Sequence, residues 1–470
     1  MSKTLMSIIV FLVLLVFFVN GFSASFTSHD ITNLAYVLAL GIDVGENAKL
    51  KVSAQFSTFD TTAPGSSSSE SSGKIILVSG EADSVFSALN LINSYIGKEL
   101  NLAHCNLIVF SEDYAKKGIA TEIYSFINNE EIRPSTNVLI SKCTAYNYLD
   151  NVKPNSEKLA VQYYDTFSIV NRFTGYFENI TIGEFYNKLS SKSASPTAIL
   201  GGLDVTARVK ESSKSSSNKS GSNENSPQNG KSSDENNKSS EDENSSGESS
   251  SSEGSGSSNS GSASADVEPS SDTRIITNPE ELIAGSSSIE GNLGTENIGI
   301  ALFDDDRLCG ELTAMETICH LLINNSMDSC IISVDDPFKE NEKSELNISP
   351  KKNSKVCVEI KDGVPHISVK MDIEAYGLTL DKNINYKTHE AVEKLSEITQ
   401  QYLEEQFNNY FNIISREYGT DIDYFAIKAL SNFRTMKEWK DYNWKEKFKN
   451  AEFDVSVDVN VISSLLITKT

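Results

Sequence analysis

Between Lys210 and Asp272 the chain almost stops using apolar residues and is built from Ser, Asn, Gly, Glu and Lys. Such a stretch cannot bury enough surface to offset the entropy of ordering it, so it is expected to be a disordered tether. That feature constrains everything else: whatever folds must be assembled from the segments on either side. Both are long enough. Of 470 residues, 39% are hydrophobic, and at about 150 residues per domain the chain has room for two or three domains. The formal net charge is −24. The tether's acidic excess is modest, so the folded parts are acidic too. With no dense Lys/Arg block, the surface as a whole repels phosphate, and nucleic acid is excluded as a partner.

The N-terminus carries a second constraint. Lys3 precedes an apolar run from Leu5 to Val19, broken only by Ser7. A run of this length suits the core of a signal peptide, whereas a membrane span needs about 20 residues. Gly21, Ser23, Ala24 and Ser25 offer small residues for a cleavage site. Residues 1–25 are therefore read as a signal peptide or N-terminal membrane anchor, and the remainder as exported. No later stretch approaches spanning length, so that remainder is expected to be soluble.

The stretch "HDITNLAYVLALGIDVGENAKLKVSAQF" (29–56) predicts a hairpin. Val37–Ile42 reads as one strand and Leu50, Val52, Ala54 and Phe56 as a face of the returning one, joined by a loop with Gly45 and Asn47. A Ser-rich loop follows at Thr61–Ser72, then a strand at Lys74–Ser79 and a helix from Asp83 to about Gly97. "HCNLIVF" (104–110) and "STNVLISK" (135–142) read as further strands, with a helix from Ser111 between them. Strands alternating with helices argue for a mixed sheet covered by helices. After the tether, "IGIALFDDDRLCGEL" (298–312) predicts a second hairpin, running into a helix with a Thr313/Glu316 capping box. Alternation through Val356–Ile360 and Ile367–Ile373 flanks an Asp362-Gly363 turn. The longest helix is expected from Thr388 to about Tyr418, stopped by Gly419, with its apolar stripe laid across its own sheet. "FDVSVDVNV" (453–461) alternates without a fault and predicts a strand with one wet face.

No constellation for catalysis emerges. His29, His104, His320, His366 and His389 fall in five different elements, and there is no G-x-S-x-G, H-E-x-x-H or phosphate-binding loop. His104 and Cys105 are sequence neighbours on opposite faces of a strand and cannot form a dyad. Asp304-Asp305-Asp306 opens like a calcium loop but continues with Leu308 and Cys309 where an oxygen ligand and a glycine are required, so it is read as a hairpin tip. Gly291-x-x-Gly294 lacks the preceding strand of a dinucleotide loop and is read as a turn. Cys105, Cys143, Cys309, Cys319, Cys330 and Cys357 are scattered, with no metal-binding spacing, and read as single, mostly buried small residues. Trp439 and Trp444 are read as closing a local core, with an interface anchor as the alternative. No catalytic, cofactor-binding or metal residue is assigned, no cofactor is expected, and binding residues are left unknown.

Several of these segments resemble one family. "DITNLAYVLALGID" with its Gly-Glu turn is similar to the start of the spore germination proteins that form the C subunits of germinant receptors. "GKELNLAHCNLIVFSEDYAKKGI" (97–119), "EIRPSTNVLISKCTAYNYL" (131–149), "IGIALFDDDRLCGELTAMETICHLL" (298–322) and "EYGTDIDYFAIKALSNFRTMKEWKDYNWKEKFKNAEFDVSVDVNV" (417–461) resemble that family too, in the same order. The resemblance implies a non-enzymatic receptor subunit on the outer face of the inner spore membrane, acting with integral membrane A-type and B-type subunits to trigger germination by nutrients. It also implies an α+β fold of three domains of mixed sheets covered by helices. Here these would be 26–208, 275–345 with a hairpin and helix, and 346–470 with the long helix and sheet, with the disordered linker at 209–274. Where the family carries a lipobox Cys this chain has Ser25, followed by Phe26, and a hydroxyl is not the thiolate that lipid transfer requires. The Leu5–Val19 run is therefore expected to remain as an uncleaved anchor, unless contacts with partner subunits hold the protein to the membrane. The alternatives are an extracytoplasmic solute-binding protein, which would need a deep cleft between two lobes, and a secreted hydrolase, which the histidine distribution disfavours.

Overall fold

The computed structural model describes residues 11–12, 33–58, 74–152, 160–211, 276–379 and 388–462. Most of the Leu5–Val19 run, Ser25, the Thr61–Ser72 loop and residues 212–274 of the tether lie outside the described residues. Among the described residues, no helix is long and apolar enough to cross a membrane.

The first sheet has nine strands: β1 (Leu34–Val44), β2 (Leu50–Thr58), β3 (Lys74–Ala82), β4 (Glu99–Asn101), β5 (Leu107–Ser111), β6 (Asn137–Ser141), β7 (Thr197–Leu203), β8 (Thr295–Asp304) and β9 (Arg307–Leu312). Their order is β3-β2-β1-β5-β6-β7-β8-β9, with β4 pairing beside β5 on β1. The centre, β1-β5-β6-β7, is parallel, and an antiparallel hairpin flanks it on each side. Parallel strands need both faces covered. Accordingly every residue of "LIVFS" in β5 and "NVLIS" in β6 is buried. One face packs on α1 (Val85–Ile96) and α2 (Ile182–Ser191), the other on short helices at Ala145–Asn151 and Phe167–Thr174. The polar side of β2 is covered as well: Gln55 donates to the Leu149 carbonyl at 3.0 Å and accepts from Tyr164 Oη at 2.8 Å.

The second sheet runs β10 (Cys330–Asp335), β11 (Lys343–Lys361), β12 (Val364–Thr379) and β13 (Glu452–Ile462). β11 and β12 form a long hairpin whose tip, Asp362-Gly363, has φ of 51° and 80°, the two positive values that a two-residue turn matched to strand twist requires. β13 joins β12 in parallel, with Asp454, Ser456, Asp458 and Asn460 exposed and Val457, Val459 and Val461 buried.

Between the two sheets in sequence lies α3 (Ala314–Asn324), and after β12 comes α4 (His389–Asn412). Leu395, Leu403, Phe407, Tyr410 and Phe411 of α4 are buried, and Phe411 stacks on Phe453 of β13 at 4.4 Å between ring centres. α4 also engages the open edge of β13: the Val457 N–H donates to Glu404 and the Val461 N–H to Ser396. The helix thus lies across its own sheet, and a π turn (Ile413–Glu417) and Gly419 at φ 65° end it.

Contacts group the described residues up to 207 and from 276 onward into one compact unit. The 275–345 segment is shared between the sheets, contributing β8 and β9 to the first and β10 to the second. Of the cysteines, Cys105, Cys319 and Cys330 are buried, Cys143 is half-buried, and Cys309 and Cys357 are exposed, so burial describes only half of them.

The Thr313/Glu316 capping box forms: Glu316 accepts from the Thr313 N–H at 2.8 Å and the Thr313 hydroxyl accepts from the Glu316 N–H at 3.4 Å. Thr313→Ala should therefore cost about 1 kcal/mol in urea unfolding. An unchanged midpoint would mean that the box does not hold the start of α3.

Candidate functional site

α3 is apolar almost all round: Ala314, Met315, Thr317, Ile318, Cys319, Leu321, Leu322 and Ile323 are buried. A helix of that kind sits inside a protein, and any ionisable side chain on it must be paired. Beyond the capping Glu316, the helix carries His320, fully buried. Its Nδ1 lies 2.8 Å from Asp423 Oδ1 and its Nε2 3.3 Å from Glu178 Oε1. Asp423 also accepts from Tyr410 Oη at 2.6 Å and from Asn324 Nδ2 at 2.8 Å. Glu178 accepts from Thr197 Oγ1 at 2.8 Å, and Thr197 in turn accepts from the buried Lys188 Nζ at 2.9 Å.

The electrostatics follow from this geometry. Burial alone would discharge His320, but Glu178 and Asp423 override it and raise its pKa to about 9. Burial likewise opposes the charge on Glu178, yet Lys188 and His320 bring its pKa down to about 2. Two cations therefore face two carboxylates, with donors and acceptors turned on one another. Chemically this is a clamp. Its members come from both sides of the tether, Glu178, Lys188 and Thr197 before it and His320, Tyr410 and Asp423 after it.

Lys188 also lines a cavity of about 340 Å³. Trp439, Trp444 and Phe448 form its aromatic side, and Lys192, Lys445 and Asp421 are among its charged groups. Asp421 accepts from the N–H groups of Phe425 and Ala426, at 3.1 and 2.6 Å, and from Trp444 Nε1 at 3.0 Å. Burial nonetheless pushes its carboxyl up to about 7, with the Asp423 charge adding to the effect. Trp444 is buried and Trp439 half-buried, their ring centres 5.7 Å apart, so the pair closes a local core while lining the cavity.

The residues singled out by sequence are dispersed. The aspartates at the β8–β9 tip diverge: Asp304 and Asp305 pair with Lys445, while Asp306 accepts from the Ala120 N–H at 3.3 Å. His104 packs edge-on against Tyr36, and His366 pairs with Glu452 at 3.1 Å. Burial pushes the neighbouring Cys105 thiol up to about 12. His389 opens α4, and His29 is outside the described residues. Gly291 and Gly294 lie in irregular chain before β8. The His320 clamp was not foreseen, although a histidine on a helix without a polar face was the available signal.

Comparison with known proteins places the chain. Residues 27–205 match the family model described as Spore germination protein N-terminal domain, and residues 298–464 match the one described as Spore germination B3/GerAC like, C-terminal. The search of curated proteins gives no match. Among solved structures, the chain is similar to the crystal structure of the GerBC protein, at 13% identity and a TM-score of 0.45, covering 92% of this chain and 100% of that one. The family matches flank the tether and together take in more than half the sequence: the chain belongs to the spore germination family of germinant-receptor C subunits, and is a receptor subunit of that kind.

Proposed function

We propose that this chain is an exported, membrane-associated subunit that works by binding and scaffolding, without catalysis, together with integral membrane A-type and B-type receptor subunits on the outer face of the inner spore membrane. The observation that carries this reading is the clamp. A buried cluster of charged groups ties the two family segments to each other, which suits a rigid body that presents surfaces to partners. The expected result is that the tagged chain, extracted from spore membranes in mild detergent, brings down two integral membrane subunits. Recovery in the cytosolic fraction, or turnover of a substrate by the purified chain, would contradict the reading. The Leu5–Val19 run would remain as an uncleaved anchor. Mass measurement of the mature N-terminus should then return the unprocessed chain, and a diacylglyceryl-modified residue would refute that anchor.

The cavity at Trp444 favours a second reading, small-molecule binding by this subunit, because its volume falls within the range of small-ligand pockets. Calorimetric titration with amino acids separates the two readings. A delivery protein would bind one of them stoichiometrically; a scaffold would give no heat.

A further inference from the structure

The cavity beside Trp444 holds a carboxylate that the clamp does not use. Asp421 is buried, yet among the described residues no cation pairs with it: its side chain accepts from two backbone N–H groups and from Trp444 Nε1. Buried charges are ordinarily paired. The two donors to Oδ2, the Ala426 N–H and Trp444 Nε1, belong to residues that line the cavity, so this oxygen lies at its wall. A carboxylate can accept about four hydrogen bonds, and these are three. Asp423, two residues on, adds negative potential instead of relieving it.

The nearby cations are engaged elsewhere. Lys188 donates to Thr197 and faces Glu178, Lys445 pairs with Asp304 and Asp305, and Lys192 lies 3.9 Å from Asp305. Lys440 also lines the cavity, is exposed, and has no carboxylate partner among the described residues. The side chains of Lys192 and Asp305 are 80% and 60% exposed, so the cavity opens to solvent at that end. Trp439, Trp444 and Phe448 line it together with Asp421. A carboxylate beside aromatic rings is the combination that holds an organic ammonium group, by charge and by the negative ring faces. We infer that the cavity binds a small amine in its ammonium form, seated on the Asp421 carboxylate with its carbon skeleton along Trp439, Trp444 and Phe448. This rests on the small-molecule reading of the cavity and names the chemistry recognised there. The ammonium can belong to a simple amine or to a zwitterion, whose own carboxylate would be drawn to Lys440.

The test is calorimetric titration of the full-length chain in detergent with three matched probes: isoamylamine, isoamyl alcohol, and leucine, which is isoamylamine with a carboxylate added. Isoamylamine should bind one per chain, and isoamyl alcohol about tenfold more weakly or worse. The ammonium displaces a proton from Asp421, whose carboxyl is pushed up to about 7. Isoamylamine affinity should therefore fall about tenfold from about pH 8 to about pH 6, with close to one proton released per ligand at the lower pH. Buffers of different ionisation heat read that proton on the wild-type chain. Asp421→Asn should weaken isoamylamine about tenfold or more and abolish the release, with thermal melts checking its fold. Leucine binding tighter than isoamylamine, with the gain lost in Lys440→Ala, would make the ligand a zwitterion; the opposite order would make it a simple amine. Equal affinity for amine and alcohol without proton release would overturn the inference while leaving the cavity a small-molecule site. No heat from any of the three probes would overturn it together with that reading.

Discussion

Replacing His320 by alanine is expected to destabilise the protein by about 3–5 kcal/mol, the range for removing one partner from a buried ion pair. The size follows from what is left behind. Glu178 and Asp423 would remain in the interior facing the vacated ring, each having lost a contact of 3.3 or 2.8 Å. Tyr410 and Asn324 would still serve Asp423, and Lys188 with Thr197 would still serve Glu178. Neither carboxylate gains a new cation. Adding Asp423→Asn should recover part of the loss by removing one orphaned charge, so the two substitutions should be far from additive. Urea unfolding of the wild type, both single variants and the double variant checks this. A single-variant cost below about 1 kcal/mol, or simple additivity, would show that the cluster is not acting as a clamp.

The same site should give stability a marked pH dependence. The folded pKa of His320, about 9, lies above its ordinary value of 6.5. Its contribution is therefore fully present below pH 6.5 and lost as pH rises through about 9, a change of roughly 3 kcal/mol. Glu178 behaves in the opposite sense: with its pKa at about 2 against 4.5, its contribution is present above pH 4.5 and lost as pH falls through about 2. Asp421, raised to about 7 from 3.8, favours its protonated form, so it too loses stability as pH rises through about 7. The His320 part can be isolated by difference. Between pH 6.5 and 9 the wild type should lose roughly 3 kcal/mol that His320→Ala does not lose. Parallel profiles for the two proteins would mean that His320 is not held charged in the folded state.

Much of the fold was legible because periodicity and local chemistry coincided. The β1–β2 and β8–β9 hairpins, α1, the capped start of α3, the β11–β12 hairpin and the alternation of β13 all follow from spacing and turn residues. The helices between Ala160 and Ser191 were missed, since "AVQYYDTFSIVNRFTGYFENITIGEFYNKLSS" mixes aromatic and polar residues without one clean period. The site was not legible, for a different reason. Within α3 the spacing shows nothing that His320 would meet on its side of the helix. In the folded chain that side meets Glu178 and Asp423, which lie far away in sequence and on opposite sides of the tether. Local patterns describe one element at a time, whereas a clamp depends on which elements meet.

At the centre stands a single body built from two family segments and locked by a buried cation between two carboxylates. A protease site placed within residues 212–274 of the full-length chain would test it most directly, by chain cleavage followed by sizing and thermal unfolding. The fragments should stay together as a one-to-one complex and melt in one transition that moves down sharply with His320→Ala. Fragments that separate on sizing, or that melt independently with the variant affecting only one of them, would contradict it.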